Sequence, residues 1–191
     1  GIFDATDIRN SNYNIKRDWY YNNAADASLF GKKAPITEQT WFTTKTLFPA
    51  ITKFFYGRPE NLSLTGSYKD RMKFRLAETY LLLAEAYLGQ NNPGKAADAI
   101  NEVRRRAGAG DVGAADVNMD FLLDERIREL IGEESRKFTL VRTKKYVDRV
   151  KARNPAIAAK VNENHVLWPI PQSIRDANTG APFPQNPGYQ P

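Results

Sequence analysis

The sequence predicts a mostly α-helical protein: tetratricopeptide-like helical hairpins with long irregular loops and an extended, proline-rich C-terminal tail. Three observations predict it. Residues 69–153 repeat apolar side chains at helical spacing. Residues 1–68 are rich in Asn, Thr, Gly and aromatics and show no sustained 3.6-residue period. Residues 154–191 hold seven of the eleven prolines, and proline can neither donate a backbone hydrogen bond nor sit inside a helix without breaking it. A length of 191 residues suits a single domain, or a fragment of one, divided into those three regions.

The first helix is expected over Lys69 to Gln90. Leu76, Tyr80, Leu83 and Tyr87 make one apolar row, and Ala77, Leu81, Ala84 and Leu88 a second beside it. Asn91-Asn92-Pro93-Gly94 reads as a turn. A second helix is expected over Lys95 to Ala107, with Ala96, Ala99, Ile100, Val103 and Ala107 on one side and Gly108 in the left-handed position that stops it. Met119 to Lys137 reads as a third, with Leu122, Leu123, Ile127, Leu130 and Ile131 inward. Phe138 to Arg153 reads as a fourth, closed by Asn154-Pro155 because the residue before a proline is pushed out of the α region. Ala84-Glu85-Ala86-Tyr87-Leu88-Gly89 followed by Pro93-Gly94-Lys95-Ala96 resembles a tetratricopeptide hairpin, whose helices pack through small residues. One such hairpin cannot bury its own face, so residues 1–68 and 154–191, or further chain, must cover it.

The loop-rich region carries aromatic bursts at Trp41-Phe42-Thr43, Leu47-Phe48 and Phe54-Phe55-Tyr56. An irregular stretch of that length is usually functional. Trp19, Tyr20, Tyr21 and Trp41 lie in polar sequence beside Asn, Asp and Arg. Exposed rings with such neighbours suit sugars, whose CH groups stack on the ring while polar groups take the hydroxyls. These four are the ligand-binding candidates. The same rings could instead plug the loops onto the helices.

Composition excludes several chemistries. Hydrophobic content of 41% and charged content of 26% are those of a packed chain. With no Cys and one His, His165, there is no thiolate nucleophile, no Cys-ligated zinc and no His pair. No apolar run approaches the ~20 residues a membrane-spanning helix needs. No secretory leader is evident at Gly1. The net charge is +6, but by region the surplus is thin and interleaved with acids. Arg104-Arg105-Arg106 point in three directions on a helix. A nucleic-acid partner is therefore not expected. The charge should resolve into arginines paired with Glu78, Glu85 and Glu129; Arg75 with Glu78 and Arg126 with Glu129 stand at ion-pairing spacing.

Gly108-Ala109-Gly110-Asp111-Val112-Gly113 matches G-x-G-x-x-G, but it follows a helix rather than a strand and does not open one. Asn10, Asn12, Asn14 and Asp18 lack the glycine and terminal Glu of a calcium loop. Ser135 and His165 carry no nucleophile signature. The expectation is no catalytic residue, no cofactor and no metal site.

Several segments carry a family likeness. Arg75-Leu76-Ala77-Glu78-Thr79-Tyr80-Leu81-Leu82-Leu83-Ala84-Glu85-Ala86 resembles the R-x-A-E-x-Y-L-x-x-A-E-A helix of the SusD/RagB family. Asn101-Glu102-Val103-Arg104-Arg105-Arg106-Ala107-Gly108 resembles its N-x-V-R-x-R-A-G segment, and Asp124-Glu125-Arg126-Ile127-Arg128-Glu129-Leu130 its E-R-x-x-E-L helix. Glu134 to Thr143 is similar to E-x-x-R-x-x-D-L-x-R, with Thr139 where the family has Asp. Leu167-Trp168-Pro169-Ile170-Pro171 and Gln185-Asn186-Pro187-Gly188-Tyr189 resemble its P-I-P and Q-N-P-G-Y ending, and Asp7-Ile8-Arg9 an upstream D-x-R. The resemblance implies a non-catalytic, lipid-anchored lipoprotein of the bacterial outer membrane, exposed at the cell surface. Such a protein binds glycan or other nutrient and partners a SusC-type TonB-dependent transporter. It also implies a longer parent, of which this is the C-terminal portion, held to the membrane only through an N-terminal lipid absent from this chain. The alternative is a tetratricopeptide-type adaptor that binds protein.

Overall fold

The computed structural model describes residues 2–37, 47–55, 70 and 72–190. Trp41, Phe42, Thr43 and Tyr56 lie outside the described residues. The chain divides into two compact units, Gly1–Glu133 and Glu134–Pro191. The described residues are mostly helical: six α-helices and two two-residue strands.

In the first unit, helix α1 (Leu76–Gly89) and helix α2 (Pro93–Arg106) form the expected hairpin, and α3 (Met119–Leu130) packs against both. Alanines 77, 84, 96, 97 and 99 are buried and let the helix backbones approach. Leu81, Ile100, Leu122 and Leu123 have no exposed surface. Each contributes roughly 1.5–3 kcal/mol by leaving water. Caps set the helix starts. The Asn92 side chain accepts from Lys95 N with Pro93 in the first turn of α2, and the Asn118 side chain accepts from Phe121 N at α3.

The N-terminal segment docks where α2 ends. Gly108 takes φ +68°, and a Cβ there would lie 3.3 Å from the Thr6 carbonyl. Ile8 N donates to the Ala107 carbonyl at 2.9 Å. Glycine therefore both turns the chain and admits the Asp7-Ile8-Arg9 segment. The Asn101 side chain holds the loop that follows, bonding both N and O of Val112. Among the described residues before α1, regular structure is a 3-10 turn (Ile8–Asn10) and two antiparallel strands, β1 (Ile15–Lys16) and β2 (Ala50–Ile51), in the register Ile15 to Ile51.

The helix ends differ from expectation at three points. The first helix, expected from Lys69, begins at Leu76 behind an extended Arg75. The third helix stops at Leu130 instead of running to Lys137, because Gly132 adopts φ +79° against the Phe54 ring. The segment expected as one helix over Phe138–Arg153 is two, α4 (Arg136–Arg142) and α5 (Tyr146–Arg153), broken where Lys144 takes φ +57°. The expected broad apolar face of α1 is also divided. Ala77, Leu81 and Ala84 are buried, while Leu76 and Leu83 are exposed.

In the second unit the tail is extended, apart from turns over residues 155–160, a 3-10 turn (Glu163–Val166), the short α6 (Gln172–Ala177) and a turn near its end. Side chains from the Gln185-Asn186-Pro187-Gly188-Tyr189 segment hold the backbone of residues 167–170. The Gln185 amide both accepts from Ile170 N at 2.7 Å and donates to Ile170 O at 2.9 Å. Asn186 donates to Trp168 O, and the Tyr189 hydroxyl to Leu167 O. Gly188 sits at φ +86°, where a Cβ would overlap the Asn164 side chain.

Replacing Gly132 by Ala puts a side chain into left-handed backbone, with its Cβ 3.2 Å from Phe54. Gly132→Ala should lower stability by about 1–2 kcal/mol. Urea denaturation of wild type and variant reads the difference; equal midpoints would show that the turn does not constrain α3.

Candidate functional site

The first unit is organised around two buried carboxylates on α3. Glu125 is fully buried and Glu129 is 1% exposed. Arg9 Nη1 reaches both, at 2.7 Å to Glu125 Oε1 and 3.0 Å to Glu129 Oε2, while its other nitrogens hold Asp7. Arg104, from α2, pairs with Glu125 at 3.0 Å and with Asp4 at 2.6 Å, and donates to the Gly110 carbonyl. Arg128 donates to Glu125 from Nε at 2.8 Å. Glu129 also receives Arg106 at 2.7 Å and Arg75. Arg75 and Lys53 close the network on Glu133.

This arrangement exchanges the partners that sequence spacing suggested. Arg75 pairs with Glu129 on α3 and with Glu133 just beyond its end. Arg126 faces Glu78 at 3.6 Å. Each arginine thus joins α3 to the residues that open or build α1. The i, i+3 spacing brings both groups to one face, and the packing decides which neighbour they meet.

Burial opposes ionisation of Glu129, but the hydrogen bond from Arg75 and the charges of Arg75, Arg106 and Arg9 outweigh it, holding the carboxyl below its ordinary value of 4.5. Glu133 is lowered in the same way: burial opposes, and Arg75 and Lys53 prevail. Asp7 is lowered despite burial by hydrogen bonds and charge from Arg9. A general acid needs a raised carboxyl. These are held ionised, the condition of structural ion pairs. Among the described residues no group of three or more His, Asp or Glu side chains could hold a metal ion.

A cleft of about 250 Å³ adjoins the network, lined by the apolar Ile8, Ile51, Phe54 and Met72 and by the charged Arg75, Arg106 and Glu129. Asn14 also lines it, and the loop after Asn14 carries the aromatic candidates.

Trp19 is half-buried. Its Nε1 donates to the Phe48 carbonyl at 3.2 Å, and Lys16 Nζ stands 4.4 Å from its ring centre. Tyr20 is 58% exposed and Tyr21 38% exposed. Tyr20 bridges Lys33, and Tyr21 N and O bond Lys32 O and Gly31 N, so both rings ride on a paired loop. Three of the four candidates therefore share one loop, two of them exposed. Trp41 falls outside the described residues. Leu29 and Phe30, exposed at 39% and 55%, follow in the same loop. Sequence reading passed over them because apolar residues in a strandless stretch resemble core.

Fold and side chains together define a tetratricopeptide-like helical scaffold whose loops are tied down by buried ion pairs. The SusD family model matches residues 2–189, and the chain belongs to the SusD family. It is 32% identical over 133 residues to the "SusD-like protein P25" of Formosa agariphila, covering 65% of this chain. The chain spans about a quarter of the length of that curated relative, 25%. A solved structure titled "BT4246" is 26% identical, with TM-score 0.46 over 61% of this chain and 23% of its own. No helix among the described residues is long and apolar enough to cross a membrane.

Glu129→Gln would leave Arg9 and Arg75 facing a neutral group in a buried setting. It should cost about 3 kcal/mol or more. Arg106 is 57% exposed, so Arg106→Ala should cost under about 1 kcal/mol. Denaturant titration separates the two; equal costs would deny the hub its dominance. The lowered carboxyls set a pH dependence. An unfolded Glu titrates near 4.5 and an unfolded Asp near 3.8. The folded values lie lower, so this stabilisation is complete above those values and is lost as pH falls through the folded ones. Melting temperature should fall steeply below about pH 4 in wild type and less steeply in Glu129→Gln.

Proposed function

We propose that this chain is part of a non-catalytic binding protein that holds glycan or other nutrient at the bacterial cell surface. There it delivers the ligand to a TonB-dependent transporter of the SusC type. The observation that carries the reading is family membership over residues 2–189. The whole protein would sit on the outer face of the outer membrane through a lipid anchor. The loop that presents Tyr20 and Tyr21, with Trp19 fixed behind them, is the ligand contact we assign within this chain. Its chemistry supports the choice, since exposed phenol rings on a braced loop stack sugar CH groups without first being ordered. Trp41 belongs to the same assignment by its place in the sequence.

The ionised, arginine-bound state of Glu129 and Glu133 fits a scaffold that performs no acid–base step.

Titration of the full-length protein with a panel of neutral oligosaccharides tests the proposal. Binding should weaken by about fivefold to tenfold in Tyr20→Ala, the size of one lost aromatic contact. Trp19→Ala should weaken it further, because the loop loses its anchor to Phe48. Absence of binding to every glycan would remove the nutrient reading. Binding indifferent to both variants would move the site elsewhere.

A further inference from the structure

The net charge of the chain is +6, and it is not shared between the units. Residues 1–133 carry eighteen basic and eighteen acidic side chains, while residues 134–191 carry ten and four. The ion network of the first unit thus belongs to a balanced body, and the whole surplus lies in the second. Among the described residues of the second unit, Lys137, Lys144, Lys151 and Lys160 have no carboxylate within ion-pair distance.

One of these cations is set among aromatic rings. Lys137 Nζ lies 3.7 Å from the centre of the Trp168 ring and 5.3 Å from that of Tyr146. Trp168 is 63% exposed, so its indole remains largely open to solvent despite this contact. Its backbone cannot drift, because Asn186 holds Trp168 O, Tyr189 holds Leu167 O, and Gln185 holds both polar atoms of Ile170. Tyr146 also lines a hollow of about 320 Å³, together with Lys144, Asp148 and Glu163.

We propose that Trp168, Lys137, Tyr146 and the adjoining hollow form a binding site for an acidic sugar, a pyranose bearing a carboxylate or sulfate group. The ring stacks on the indole, the anionic group meets the Lys137 and Lys144 ammonium groups, and Asp148 and Glu163 accept from hydroxyls. The two carboxylates favour this ligand over nucleic acid, because they repel a phosphodiester chain but bind neutral hydroxyls. One ammonium between two rings also matches a single charged sugar unit rather than a long phosphate track. The proposal rests on the glycan reading above and adds a second contact with a stated charge.

The experiment compares a galacturonic acid tetrasaccharide, a neutral galactose tetrasaccharide and duplex DNA, each titrated into the full-length protein at low and moderate salt. The acidic oligosaccharide should bind more tightly, and its affinity should fall with salt. Lys137→Gln should reduce it about tenfold and leave the neutral ligand unchanged. Trp168→Ala should weaken the acidic ligand with an unchanged melting temperature, since the exposed ring supports no core. Equal affinity for acidic and neutral tetrasaccharides, with no effect of Lys137→Gln, would overturn the acidic site and leave nutrient binding standing. Binding of neither sugar, nor of any other glycan, would overturn both. Tighter binding of DNA, lost in Lys137→Gln, would overturn the sugar assignment alone.

Discussion

Two carboxylates on one helix hold the first unit together. Glu125 and Glu129 lie on the buried face of α3 and cannot be left there without cations. Three other parts of the chain supply them: the N-terminal segment through Arg9, the entrance to α1 through Arg75, and α2 through Arg104 and Arg106. Arg9 and Glu125 are 116 residues apart in sequence. Apolar packing would tolerate several placements of the N-terminal segment against α2 and α3. A guanidinium that bridges two fixed carboxylates through one nitrogen and holds Asp7 with the other two tolerates very few. The network therefore specifies position more than it adds stability. It also explains why the family-like motifs have the form they do: Asp7, Arg9, Arg75, Arg104, Arg106, Glu125 and Glu129 all belong to it.

Much of this fold can be read in the chain. The hairpin of α1 and α2 follows from apolar spacing, from Asn92-Pro93 at one helix start and from Gly108 at its end. The irregular N-terminal region and the extended tail follow from composition. Two helix ends do not: one is set by a tertiary contact and the other by a backbone conformation uncommon for its residue type. Gly132 turns against a phenylalanine 78 positions earlier in the sequence, a relation no local window contains. Lys144 adopts a left-handed conformation that its residue type does not favour. The ion pairs were half legible. Local spacing identified which residues pair and misassigned the partners, since the choice between Glu78 and Glu129 depends on how α1 crosses α3.

The site candidates divide in the same manner. Residue type points to Trp19, Tyr20 and Tyr21, but it does not say that the first is held by Phe48 and Lys16 while the others face solvent. Regional charge counts cut at residue 153 hide the asymmetry that appears when the chain is divided at its structural boundary. Trp168 was visible only as part of a scaffold motif. Its exposure and its cationic neighbour come from the fold of the second unit.

The clamp on residues 167–170 has a bearing on assembly. Pro169 and Pro171 have no N–H, so Ile170 is the one residue of that triplet able to donate to a neighbouring strand. Gln185 occupies that donor and the matching carbonyl together. An exposed, extended, partly apolar segment would ordinarily offer an edge for β-pairing between molecules. Here the edge is already taken by a side-chain amide, so the tail can display an open tryptophan without recruiting another chain into a sheet.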